Sequence, residues 1–174
     1  MRKETSIALA AVAIVAFILL GIMIIPHIVE SPKAKAMPMP TLGPTPQPSL
    51  PVTVVSLAGS QGPTAIRAEV ASTYEEQMTG LMYRTALPAD AGMLFVFDGD
   101  GPRAFWMEDT LIPLDMIFIA ADGTIVNIYE NATPLSTDII RSTAPCRYVL
   151  EVNGGACRRL GVAAGSRVSL NITG

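Results

Sequence analysis

Three charged residues stand where charge is costly. Asp115 lies inside Leu114-Asp115-Met116-Ile117-Phe118-Ile119, a run that is otherwise apolar at both alternating sets of positions. Glu151 interrupts a second apolar run, Val149-Leu150-Glu151-Val152. A buried carboxylate is unfavourable unless it is paired or strongly hydrogen-bonded. Arg84, placed just after a predicted helix, is the natural cation to join both acids in one buried polar cluster. Such a cluster can bind a polar ligand or move protons, as two carboxyls do in an acid–base hydrolase. The same three groups can also form a structural salt bridge that fixes helix to sheet.

Two aromatic rings and two thiols complete the reactive inventory. In Phe105-Trp106-Met107, strand alternation puts Phe105 and Trp106 on opposite faces. One ring then points away from a one-sided core, either to wall a ligand pocket or to pack between two layers. Cys146 and Cys157 are candidates for a disulfide in an oxidising compartment. A straight strand between them holds them roughly 15–20 Å apart, beyond the ~7 Å limit, unless a bend or returning helix closes the gap.

The only histidine is His27, beside an apolar stretch, so residues 52–174 contain none. That removes Ser-His-Asp and Cys-His catalysis and His-ligated zinc from the domain. Met78, Met82, Met93, Met107 and Met116 offer thioethers suited to Cu(I), but methionine is a common core filler. Asp98-Gly99-Asp100-Gly101 opens like a calcium loop, yet Arg103 occupies the sixth position, where an EF-hand loop needs Gly. Gly154-Gly155 has no following Lys-Ser/Thr, so it is not a phosphate loop. We expect no metal and no cofactor, and the balance leans away from an enzyme.

These residues must be positioned by short elements. Apolar segments broken by turn residues read as strands over 52–57, 66–70, 93–97, 104–108, 114–120, 125–130, 147–152 and 167–172. Asp98-Gly99-Asp100-Gly101 and Asp122-Gly123 are turn sequences. Thr73-Tyr74-Glu75-Glu76 has the pattern of a capping box that opens a helix carrying Met78, Leu81 and Met82 on one face. A second short helix is expected over 156–160, after Gly154-Gly155 and before Gly161. The predicted fold class is mainly β: a compact barrel or sandwich of about eight short strands with two short helices, behind an N-terminal transmembrane helix.

The 174-residue chain is three unlike pieces. Within residues 1–30, positions 7–25 hold 18 apolar residues out of 19 behind Arg2 and Lys3. At 1.5 Å per residue that run spans about 28 Å, close to a bilayer core, and reads as an uncleaved signal anchor. The alternative is cleavage near Ala34-Lys35-Ala36, which would release an exported domain. Residues 31–51 hold seven prolines and form an extended spacer. Residues 52–174 carry eight arginines, no lysine and thirteen carboxylates, which disfavours nucleic-acid binding. The expected setting is the inner membrane, single-pass, with the domain on the periplasmic side.

Four ordered blocks carry a family likeness: Gly80-Leu81-Met82-x-Arg84, Gly92-Met93-Leu94-Phe95-Val96-Phe97, Phe105-Trp106-Met107-x-x-Thr110-x-Ile112-Pro113-Leu114-Asp115-x-x-Phe118 and Val149-Leu150-Glu151. The chain resembles the domain-of-unknown-function 192 family of bacteria and archaea over roughly residues 53–172. That resemblance implies a small, mainly β fold, often exported or membrane-anchored, and no known reaction. The family usually places a basic residue and Asn where Glu108 and Asp109 stand here, which makes Asp109 a candidate for altered ligand preference. The leading expectation is a membrane-anchored extracytoplasmic β domain. It would bind a small ligand or envelope partner through Asp115, Glu151, Arg84, Trp106 and Asp109. An acid–base hydrolase using Asp115 and Glu151, or a purely structural envelope protein, stand as alternatives.

Overall fold

The computed structural model describes residues 45–171. The apolar run at 7–25 and the linker up to residue 44 lie outside the described residues. Among the described residues, no helix is long and apolar enough to cross a membrane.

Among the described residues nine strands form: β1 (Val52–Gly59), β2 (Gly62–Ala71), β3 (Ala91–Gly101), β4 (Ala104–Phe105), β5 (Leu114–Ile119), β6 (Ile125–Ala132), β7 (Ile140–Arg141), β8 (Cys146–Asn153) and β9 (Val168–Leu170). Two short helices, α1 (Tyr74–Thr79) and α2 (Ala156–Leu160), follow β2 and β8. Seven strands make one sheet in the order β6-β5-β8-β3-β2-β1-β9, and β4 pairs with β7 apart from it. All pairs in the main sheet are antiparallel except β2 with β3. That parallel pair requires a crossover, and α1 lies within it.

The sheet is a half-barrel whose two edges are tied at one end. Thr124 bridges Arg167. Alongside it, the Ile125 N–H donates to the Ser166 carbonyl at 2.9 Å and the Val168 N–H to the Gly123 carbonyl at 2.8 Å. Gly123 has φ +84°, and a Cβ there would sit 2.5 Å from the Val168 carbonyl oxygen, so the predicted Asp122-Gly123 turn is also where only glycine lets the edges meet. The sandwich alternative does not form, because the second sheet consists of two two-residue strands.

Each face of the sheet has its own core. One cluster contains Val55, Leu57, Ile66, Leu94, Ile117, Ile119, Leu150, Val152 and Cys157. The other contains Leu81, Met93, Phe95, Met107, Leu114, Met116, Phe118, Cys146 and Val149. All six residues of β5 are buried, as expected of a run that is apolar on both faces apart from Asp115.

Element ends differ from expectation at identifiable places. The strand expected over 104–108 stops at Phe105, because the Met107 N–H turns to the Ser136 carbonyl at 2.9 Å instead of continuing a ladder. Its partner β7, two residues long, is too short to carry an alternating pattern. Part of the stretch read as linker belongs to the folded unit. The Gln47 side chain donates to the Gly80 carbonyl at 2.7 Å, the Leu50 N–H to Glu69 at 3.0 Å, and the Pro51 carbonyl accepts from Val70 at 2.8 Å. An extended proline-rich chain can lie along such a surface without needing its own ladder.

Candidate functional site

The two buried acids do not meet. Asp115 pairs across the sheet with Val152, whereas Glu151 pairs with Met116 and Met93. Side chains on adjacent rungs point to opposite faces, so Asp115 faces the first core and Glu151 the second. The expected carboxylate pair is therefore corrected by a one-residue difference in register.

Asp115, fully buried, is saturated by backbone donors. One oxygen accepts from the N–H of Asn131 at 2.7 Å and of Gly155 at 2.8 Å; the other accepts from Cys157 at 2.8 Å. Gly155 is the N-cap of α2 and supplies no side chain, so Asp115 caps that helix from a neighbouring strand. This reach ties β5, the end of β6 and α2 together.

Arg84 goes to a different acid. Its guanidinium holds Glu69 on β2 in a two-pronged ion pair, with N···O distances of 2.5 and 2.8 Å, and both side chains are largely buried. That contact, opposed in part by burial, lowers the Glu69 carboxyl below its usual range. Asp109 adopts φ +54°, a left-handed position that Asn and Asp tolerate better than most residues. Its carboxylate accepts from the Tyr83 hydroxyl, which raises the Tyr83 phenol, and its carbonyl accepts from the Tyr83 N–H at 2.8 Å. Asp109 thus clamps two loops together, and local backbone geometry accounts for an Asn-like residue there.

The disulfide does not form. Cys146 and Cys157 are both free and buried, one in each core, on opposite sides of the sheet. Burial raises the Cys146 thiol, and burial with the Asp115 charge raises that of Cys157. Neither is poised as a nucleophile.

A cleft of about 430 Å³ opens on the second face. Its walls come from α1 and the turn after it (Met78, Thr79, Gly80, Met82), from β3 (Phe95, Phe97), and from the segment 102–106 together with Thr110. The capping box predicted at Thr73 is complete and starts α1: Glu76 N–H to Thr73 at 3.3 Å, and Thr73 N–H to Glu76 at 2.9 Å. Gly80 ends the helix at φ +48°, where a Cβ would press on the Phe95 ring at 3.3 Å. Phe105 packs edge-on against Phe95 and Phe118, with centroids 5.0 and 6.0 Å apart, while Trp106 remains 39% exposed on the wall. Of the five methionines in residues 52–174, Met93, Met107 and Met116 fill the core, and Met78 and Met82 reach the cleft.

Glu151 is the acid of this cleft. It is 4% exposed, and burial alone pushes its carboxyl up to about 8, with no hydrogen bond or neighbouring charge contributing among the described residues. The carboxyl is therefore mostly protonated at neutral pH. Arg103, the cleft's cation, is engaged elsewhere. Its guanidinium stacks 3.9 Å from the Phe97 ring centroid and donates to the carbonyls of Cys146 and Gly99. Sequence reasoning singled out Glu151 and Trp106, weighed Met82 only as a thioether, and assigned no site role to Thr79, Gly80, Phe95, Arg103 and Thr110. Most of these stand within the ordered blocks that carry the family likeness.

The sequence profile of the DUF192 family, described as an uncharacterised ACR family, matches residues 55–170. The chain belongs to this family. Its fold is similar to the crystal structure of a chain from Sinorhizobium meliloti 1021, provisionally described as a transcription regulator. That likeness has 43% identity and a TM-score of 0.68, covering 71% of this chain and 97% of that one. It is also similar to a protein of unknown function from Novosphingobium aromaticivorans DSM 12444. There the identity is 37% and the TM-score 0.68, covering 74% and 94% of the two chains. No curated protein matches the chain.

Proposed function

We propose that this DUF192 protein is a membrane-tethered, extracytoplasmic binding module whose cleft on the second face takes a small ligand. The observation that carries the reading is Glu151, a buried carboxyl at the wall of an aromatic cleft with no partner among the described residues. Unpaired buried acids are costly, so the presence of one in a concave, apolar site supports a binding role. In this reading the N-terminal apolar run would serve as the tether and the proline-rich residues following it as a spacer. The hydrolase alternative loses its second acid, since Asp115 faces the other core and is consumed by three backbone donors. A regulator's nucleic-acid face, as the Sinorhizobium description would suggest, has little support in a domain with thirteen carboxylates against eight arginines.

A thermal-shift screen of the full-length protein against glycans, small acids and amines tests this reading. A ligand should raise Tm in the wild type and lose its effect in Trp106→Ala. Shifts unchanged by that substitution, or no shift with any compound, would reject the cleft as the binding site.

A further inference from the structure

The second face carries more information than the presence of a cleft. Glu151 faces Met93 on β3 and Met116 on β5, its direct cross-strand neighbours, and neither can donate a hydrogen bond. The next acid on that face, Glu69, lies two strands away, about 10 Å, and is already held by Arg84. The hydroxyl of Thr79 donates to the Glu75 carbonyl and that of Thr110 to the Glu108 carbonyl. Arg103 is bonded to the carbonyl of Cys146, five residues along β8 from Glu151, or about 16 Å of strand. Asp115 is screened from it by the sheet. Arg147, whose buried Nε has no hydrogen-bond partner, lies four residues along β8, about 13 Å of strand. No charge contributes to the raised Glu151 carboxyl, so no cation among the described residues stands beside it.

The rest of the wall favours a cation as well. Phe95, Phe105 and Trp106 present ring surface to the cleft, and ring faces attract cations. At the far end, Phe97 already holds the Arg103 guanidinium on its face, so this aromatic wall demonstrably accommodates positive charge.

We propose that the cleft receives the ammonium head of a small organic cation, with Glu151 as its counter-ion and the rings of Phe105 and Trp106 around it. This rests on the binding reading above and names the ligand's chemical class. On binding, the protonated Glu151 carboxyl releases its proton to solvent, and the carboxylate formed pairs with the ammonium. Charge and atoms balance: one cation enters and one proton leaves. A neutral ligand that merely accepts a hydrogen bond from the protonated acid would show the opposite pH dependence.

Choline and its uncharged isostere 3,3-dimethyl-1-butanol separate the two. Both are titrated calorimetrically into the full-length protein in detergent micelles, between about pH 6 and pH 9. Choline should bind at least tenfold more tightly than the alcohol. Its affinity should rise by up to about tenfold per pH unit below the titration of Glu151 and then level off. Near pH 6, titrations in two buffers of different ionisation heat should register about one proton released. Glu151→Gln, isosteric with the protonated acid, should abolish both the preference and the pH dependence, and Trp106→Ala should weaken choline without removing its pH slope. An alcohol that binds as well as choline, or an affinity that falls with pH, overturns the cationic ligand and leaves the binding cleft standing. Failure of both probes at millimolar concentration overturns the cationic ligand too, and the broader screen then decides the cleft.

Discussion

Asp115 and Glu151 occupy neighbouring rungs of the same sheet and are almost equally buried, yet their surroundings are opposite. Asp115 accepts three backbone N–H groups and holds a helix in place; Glu151 accepts none and faces a cleft. The contrast teaches that burial of a carboxylate does not define its role. What decides it is whether the surrounding backbone has already spent the acid's hydrogen-bonding capacity. Asp115 belongs to the machinery of folding, and Glu151 is left over from it.

The strongest challenge to this contrast is substitution of Asp115. Asp115→Asn turns one accepting oxygen into a donor that faces backbone N–H groups, and a loss of about 3–5 kcal/mol is expected in chemical denaturation. A melting point within a few degrees of wild type would mean that Asp115 is not the cap described here.

The same substitution at Glu151 should act in the other direction. Its folded value of about 8 stands above its ordinary 4.5, so the unfolded state releases the proton first as pH rises. The contribution is fully present below about pH 4.5 and is lost progressively up to about pH 8. Glu151→Gln should therefore match wild type near pH 4.5 and exceed it near pH 8, by an amount on the order of a few kcal/mol. Equal stabilities at both pH values would show Glu151 to be paired or hydrated, and the contrast with Asp115 would fail.

Smaller effects sharpen the boundary. Arg84→Ala leaves the largely buried Glu69 without its cation, with only the Leu50 N–H still donating to it, and should cost about 1–3 kcal/mol. Because Glu69 is lowered in the fold, that difference should persist at neutral pH and shrink as pH falls through the carboxylate range. Trp106→Ala, at a partly exposed wall position, should change stability by no more than about 0.5–1 kcal/mol while affecting ligand binding. A large loss of stability there would make Trp106 a packing residue.

Much of the architecture was legible because its signals are local. The Thr73 capping box, the helix at 156–160 between glycines and the Asp122-Gly123 turn each depend on neighbours in sequence. The doubly buried character of β5 followed from its composition. The site was less legible, because it depends on register. Asp115 and Glu151 stand out in the sequence as acids within apolar runs, but only the pairing of β5 with β8 shows that they face apart. Arg84 was matched to the most buried acids, whereas its partner Glu69 lies in an alternating strand where an acid attracts no notice. Trp106 lies outside the strand because the Met107 N–H finds a carbonyl at Ser136, far along the chain, a contact that no local pattern announces.

The separation of the two cysteines has a practical consequence. Each thiol is sealed beneath a different side of the sheet, and each becomes accessible to an alkylating reagent only when that side opens. The chain thus carries two native reporters. Pulse labelling followed by mass measurement would time the opening beneath the cleft through Cys146 and the opening of the opposite interior through Cys157, without any engineered probe.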